Sequence, residues 1–189
     1  MGKASAQKLK VHLNLPLLLT VCILPDIDLI LRFLEHRGPT HSLITALVLT
    51  APFFFTYRKA AVPYFAAVVS HSLIGDFFTG GAQLFWPVST TWYGALNINV
   101  SSSVNASLEL ILFVISLGVL VKTGDLRRIV EPNKYNMILF LPFMAVLGPI
   151  LQLGRGYEYA LPSSLLIPSL FWLALFAYSI VANLQKRQE

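Results

Sequence analysis

LPSSLLIPSLFWLALFAYSIVAN, residues 161–183, contains no acidic, basic or histidine side chain. Crossing the hydrocarbon core of a bilayer as a helix takes about 20 predominantly apolar residues, and this stretch supplies them without interruption. Further apolar stretches read at 11–25, 41–57, 60–79, 107–121 and 136–153. The sequence of 189 residues is 56% hydrophobic and only 12% charged, with a mean hydropathy of +0.68. A soluble domain carries about twice that charged fraction. The solvent of this chain is therefore lipid, and the fold expected is an all-α, polytopic integral membrane bundle of about six transmembrane helices. No repeat, low-complexity run or long linker divides the sequence, so residues 1–189 are expected to form one domain.

The net charge of +5 does not point to nucleic acid, because the basic residues sit at helix ends rather than along one stripe. Lys3, Lys8 and Lys10 precede the first apolar stretch, and Arg58 and Lys59 separate the second from the third. Lys122, Arg127, Arg128 and Lys134 separate the fourth from the fifth, and Lys186 and Arg187 end the chain. With six crossings all of these share one side, which the positive-inside rule makes cytoplasmic. Arg32, Arg37 and Arg155 fall on the other side. The expectation is an integral protein of the cytoplasmic membrane with both termini inside and the loops near 26–40, 80–106 and 154–160 outside. The polar, basic residues 1–10 and the lack of a small-residue cleavage site predict an uncleaved first helix. Cys22 is the one cysteine, which excludes an internal disulfide and reads as a packed small side chain. The loop near 80–106 holds Trp86, Trp92 and Tyr93, rings suited to the headgroup level or to a substrate. It also holds Asn-x-Ser triplets at Asn99–Ser101 and Asn105–Ser107, glycan acceptors if that loop is outside and the cell glycosylates.

The chemistry concentrates in PDIDLILRFLEHRGPTHS, residues 25–42, and HSLIGD, residues 71–76. Pro25 disfavours helical geometry at Leu24. If PDID is then extended or turn-like, Asp26 and Asp28 project to the same side as a carboxylate pair; in an uninterrupted helix they would point nearly opposite ways and act as solvated caps. Gly38 and Pro39 break the chain again, leaving Thr40 as an N-cap and His41 in the first turn of the next helix. A helix N-terminus keeps the His41 ring neutral, the form that binds metal. His36 lies just before, and Arg37 favours an anion such as a phosphate. His71 and Asp76 are five apart, about 140° around an ideal α-helix, so they converge only if the chain bends or bulges near Gly75. Glu109 opens the fourth long apolar helix, as a first-turn carboxylate facing the helix dipole or as a further ligand.

In the six-crossing topology Asp26, Asp28, His36, His41, His71, Asp76 and Glu109 all fall at one membrane face. Mixed histidine and carboxylate ligands without thiolate suit a divalent metal, zinc foremost and manganese or iron besides, as one ion or two. Water bound to such an ion serves as a nucleophile near neutral pH. His12, at the opposite end of the first helix and about 20 Å away, stands apart.

These residues resemble the YdjM-like family of membrane-bound, metal-dependent hydrolases. The family pattern LPDID appears as Leu24–Asp28, HRG.THSL as His36–Leu43, and its next motif as His71 with Asp76 and Thr79. Trp86–Pro87 and Ser107–Glu109 complete the match, which covers about residues 24–110. The family more often spaces the third motif's His and Asp by four, and it has an N-terminal His that His12 does not replace. The family looks remotely similar to zinc-dependent phospholipase C proteins. That implies a membrane-embedded hydrolase of phosphoesters or lipid headgroups at the outer face, with membrane lipids as neighbours and no nucleic-acid partner. Asp26, Asp28, His36, His41, His71 and Asp76 would hold metal, Glu109 would be a further ligand or base, and Arg37 would steady the anionic substrate. A metal or ion transporter, with ligands near the midplane of broken helices, and a metal-stabilised scaffold without turnover use the same residue types.

Overall fold

The computed structural model describes residues 1–29, 31, 33–96, 98, 102–151 and 161–186. Arg32, Arg155, Arg187, the Asn99–Ser101 triplet and the loop at 154–160 lie outside the described residues. Every regular element among the described residues is helical, and the only extended pairing among them is the antiparallel bridge between Ala82 and Tyr93. The α-helices are α1 (Gly2–Leu9), α2 (Leu15–Cys22), α3 (Leu43–Tyr57), α4 (Val62–Ser70), α5 (Ser103–Lys122), α6 (Asp125–Val130), α7 (Phe140–Leu151) and α8 (Leu166–Lys186).

Among the described residues, three helical segments are long and apolar enough to cross a membrane: Ser103–Lys122, Lys134–Leu151 and Ser163–Lys186. They coincide with the last three apolar stretches of the sequence. Their side chains point largely outward; on α5, Ile111, Leu112, Val114 and Ile115 are all exposed. Outward-facing apolar surface of this extent is the surface that lipid covers. The first and third stretches are segmented instead, and the second forms one shorter helix. Residues 11–25 yield only α2, and the 3₁₀ turn Leu24–Leu29 follows it. Residues 41–57 yield α3, whose N-cap is Ser42. Residues 60–79 yield α4 and then a π-helical turn, His71–Asp76. The basic N-terminus is itself a short helix, α1, stopped by Lys10 in the left-handed conformation at φ 54°.

The backbone groups into two compact units: Met1–Asn14 with Val21–Asn99, and Leu15–Thr20 with Val100–Glu189. In the first, α1 and α3 pack on α4. Gly2 and Ala6 are buried on α1 and Ala67 on α4, small residues that let helices approach closely. The Tyr64 hydroxyl accepts the Asn14 N–H at 3.1 Å. In the second, Ile129, Leu139 and Phe176 form a core, against which Leu15, Leu19, Leu120, Phe143 and Trp172 pack. A polar clamp crosses it: Ser179 Oγ donates to Ile129 O at 2.6 Å, and Asn136 Nδ2 donates to Glu131 O at 3.0 Å.

The segment after the π turn folds back over residues 35–43 of the first unit. Gln83 N–H donates to Arg37 O at 2.9 Å, Leu43 N–H to Leu84 O at 2.9 Å, and Ser42 Oγ to Trp86 O at 2.6 Å. Gly81 makes the fold-back at φ +83°, and a Cβ there would lie 2.8 Å from Tyr93 O. Only glycine adopts that conformation freely.

Candidate metal centre

Leu24–Leu29 winds as a 3₁₀ helix, not as the extended or turn-like segment expected. At three residues per turn, side chains two apart diverge by about 120°, and this corrects the expectation that Asp26 and Asp28 face one way. They grip opposite edges of the His41 ring. Asp26 Oδ1 lies 3.4 Å from His41 Nε2, and Asp28 Oδ2 lies 3.2 Å from His41 Nδ1.

The ring itself sits one residue before the cap of α3, at the end of the 3₁₀ turn Pro39–His41. Ser42 Oγ accepts the N–H groups of Ile44 and Thr45 at 3.1 and 3.4 Å, so the N-cap is Ser42 and not Thr40. Thr40 is thereby released for the site. Its hydroxyl donates to Asp28 Oδ2 at 2.7 Å and lies 3.1 Å from His41 Nδ1. With that proton given to Asp28, the Thr40 oxygen accepts. His41 Nδ1 is then flanked by acceptors and carries a proton, so Nε2 is the nitrogen that would face an ion.

What Nε2 faces is the informative feature. Asp26 Oδ1 and Asp76 Oδ2 each lie 3.4 Å from it, and His71 Nε2 lies 3.3 Å from Asp26 Oδ1 and 3.6 Å from Asp76 Oδ2. His41 Nε2 and Asp76 Oδ2 are both buried without a hydrogen-bond partner. Two carboxylates and an imidazole nitrogen converging in a buried space call for positive charge among them, a proton on the ring or a metal ion. Asp26, His41 and His71 offer ligand atoms mutually within 4.8 Å, and their chemistry fits a divalent ion. Asp28, His36 and His41 form a second such group, but a neutral ring has one lone pair to give, and that of His41 points to the other side.

Asp28 is already saturated. Its Oδ2 also accepts the Arg37 backbone N–H at 3.1 Å, and its Oδ1 pairs with His36 Nδ1 at 3.1 Å. Burial works against ionisation of Asp28, and its contacts with His36, His41 and Thr40 outweigh it, holding the carboxyl well below the usual range. Asp26 behaves likewise: burial raises its pKa, and the adjoining His41 and His71 rings lower it by more.

His71 and Asp76 meet because the backbone bulges where their spacing requires it. Phe77 N–H bonds Ser72 O at 3.0 Å and Gly81 N–H bonds Asp76 O at 2.8 Å, both five residues back. A turn closed at i+5 brings residues five apart onto one side. Arg37 joins the parts. It has φ +61°, a conformation uncommon for a side-chain-bearing residue, and from there its Nε lies 3.2 Å from Asp76 Oδ1. Its Nη1 donates to Thr79 O, and its Nη2 donates to Thr79 Oγ1 at 3.2 Å. Thr79 entered the sequence reading only through the family motif. Its hydroxyl position next to an arginine is set by the π turn, which no local pattern announces.

Two sequence candidates remain. His12 is in the connection between α1 and α2. Glu109 belongs to the second unit, on α5, where it accepts from Asn105 Nδ2 at 2.6 Å. Asn105 is buried within that helix, which removes Asn105–Ser107 as a glycan acceptor.

An all-helical chain with three membrane-length helices is an integral membrane protein, and its first unit carries a histidine–aspartate cluster of metal-ligand character. The chain belongs to the YdjM inner membrane protein family, whose family model matches residues 1–182. No curated protein and no solved structure matches it.

Proposed function

We propose that the chain is a membrane-embedded, divalent-metal-dependent hydrolase of phosphoesters, with lipid headgroups at the outer membrane face as the first substrate class. The observation that carries this reading is the convergence of His41 Nε2 and Asp76 Oδ2, both buried and neither in a hydrogen bond, on Asp26 and His71. Those four residues would hold the ion, and zinc suits the mixed set best, with manganese or iron next. When bound, such an ion supplies Lewis-acid polarisation and activates water near neutral pH.

The chain's own residues do the rest. Asp28 and Thr40 accept the His41 Nδ1 proton and fix the ring's tautomer and tilt. His36 and the Arg37 N–H complete the Asp28 shell. The Arg37 side chain holds Asp76 in place, which makes it a positioning residue in this reading rather than a free substrate anchor. His71 and Asp26 keep 19% and 26% of their side-chain surface exposed, whereas His41 is closed off, so a ligand reaches the centre from their side. An open side is the mark of a catalytic rather than a structural site. The outer location follows from the distribution of basic residues and rests on the six-crossing topology.

Metal analysis of the purified full chain tests the first half of the proposal. Hydrolysis of phosphodiester and phospholipid substrates, with and without chelator, tests the second. We expect bound metal at stoichiometric level and chelator-sensitive turnover. Absence of metal overturns the reading, and stoichiometric metal without turnover on any substrate favours the scaffold.

A further inference from the structure

The second unit contains a cavity of about 480 Å³ between α5, α7 and α8, within the range of small-ligand sites. Its wall is apolar except for Glu109, Ser116 and Ser169, and it includes the rings of Phe113 and Trp172. We infer that this groove binds a membrane lipid whose head carries a protonated amine, with Glu109 as the anchor for that amine and the groove receiving chain.

The argument starts from the cost of Glu109. It stands on the membrane-length segment Ser103–Lys122, six residues or about 9 Å in from its start, where an ionisable side chain is expensive and calls for a partner. The partner the structure supplies is the Asn105 amide, at 2.6 Å. An amide solvates a carboxylate without neutralising it. One serine of the groove carries the same sign. Ser116 gives its hydroxyl hydrogen to Phe113 O at 2.9 Å, so the oxygen is left to accept. A carboxylate and a hydroxyl oxygen in an otherwise apolar groove are complementary to an ammonium on an apolar body. Facing lipid, the abundant molecule of that description is an aminophospholipid.

The test is native mass spectrometry of the full chain released from mild detergent after titration with equal amounts of dioleoyl phosphatidylethanolamine and dioleoyl phosphatidylglycerol. We expect preferential retention of the ethanolamine lipid. Glu109→Gln should weaken it about tenfold, the scale of one hydrogen bond to a charged group, with no change for phosphatidylglycerol. Ser169→Phe, which fills the groove and keeps the carboxylate, should weaken both lipids. Equal retention of the two lipids by the unsubstituted chain, or an unchanged Glu109→Gln, overturns the inference. Loss of bound metal from Glu109→Gln would overturn it too, since Glu109 would then be a ligand of the metal centre.

Discussion

Replacing Asp28 by asparagine separates a ligand from a residue that orients one. The substitution keeps the shape and one carbonyl oxygen, so Arg37 N–H and Thr40 Oγ1, at 3.1 and 2.7 Å from Oδ2, retain an acceptor. The amide nitrogen then meets His36, whose Nδ1 can accept. What disappears is the charge facing His41 Nδ1–H, 3.2 Å away. A hydrogen bond to a charged group contributes about 1.5–3 kcal/mol and a neutral one about 0.5–1.5. The difference of about 1–1.5 kcal/mol corresponds to roughly tenfold in affinity, at the low end of the 10–100-fold range for outer-shell partners of ligating histidines. Competition against a chelator of known zinc affinity measures this directly, and the cobalt-substituted protein reports ligand number in its absorption spectrum. We expect Asp28→Asn to bind one ion per centre with a weaker Kd and an intact cobalt spectrum. His71→Ala should fail to load at the same metal concentration. If Asp28→Asn fails to load as His71→Ala does, Asp28 is itself a ligand and the saturation argument is wrong. If its Kd is unchanged, Asp28 does not orient the ring.

Further outcomes follow from the same geometry. Arg37→Lys keeps the charge but cannot serve Asp76 and Thr79 together, so metal affinity should fall by roughly the 10–100-fold of an outer-shell change, whereas a pure substrate anchor would leave it untouched; the same chelator competition reads this out. Gly81→Ala should lower the thermal midpoint in detergent, because a left-handed backbone costs a side-chain-bearing residue about 1–2 kcal/mol and its Cβ would meet Tyr93 O at 2.8 Å; an unchanged midpoint would mean the fold-back tolerates rearrangement. His12→Ala should retain full metal content by elemental analysis, and loss would place the site at the wrong end of the chain's first apolar stretch. Single cysteines at exposed Leu96 and at Arg127 should label from opposite faces of sealed vesicles; labelling from one face sinks the six-crossing topology.

Membrane class was legible in the sequence because it depends on residue type, and the candidate site residues stand out there for the same reason. Composition alone places the chain in lipid, and seven of its ionisable residues stand out against that background. The need for a bulge near Gly75 was legible too, since a spacing of five fits no straight α-helix, and the π turn at His71–Asp76 supplies it. The parts that escaped depend on non-local choices. Thr40 and Ser42 are equally good caps by type, and the choice between them is made by Leu84 O and Trp86 O, which hold Ser42, and by Asp28, which takes Thr40. The left-handed Arg37 is unreadable for the same reason: its backbone is fixed between Asp28 and Gln83. The long helices of the second unit matched their apolar runs, as α3 did, whereas the first and third runs broke where site residues impose 3₁₀ and π geometry.

The divergence of Asp26 and Asp28 explains why a Pro-Asp-x-Asp sequence and an irregular backbone belong together here. Two carboxylates on one face of an extended strand would crowd one ion and leave His41 free to rotate or change tautomer. A 3₁₀ turn separates them by about 120°, so one approaches Nε2 and the other approaches Nδ1. The first then meets Nε2 together with His71 and Asp76, and the second meets the Nδ1 proton. Pro25 disfavours the α-helical geometry at Leu24 that would prolong α2 into this segment. The segmentation of the first apolar stretch is therefore the condition under which one imidazole can be held from both edges.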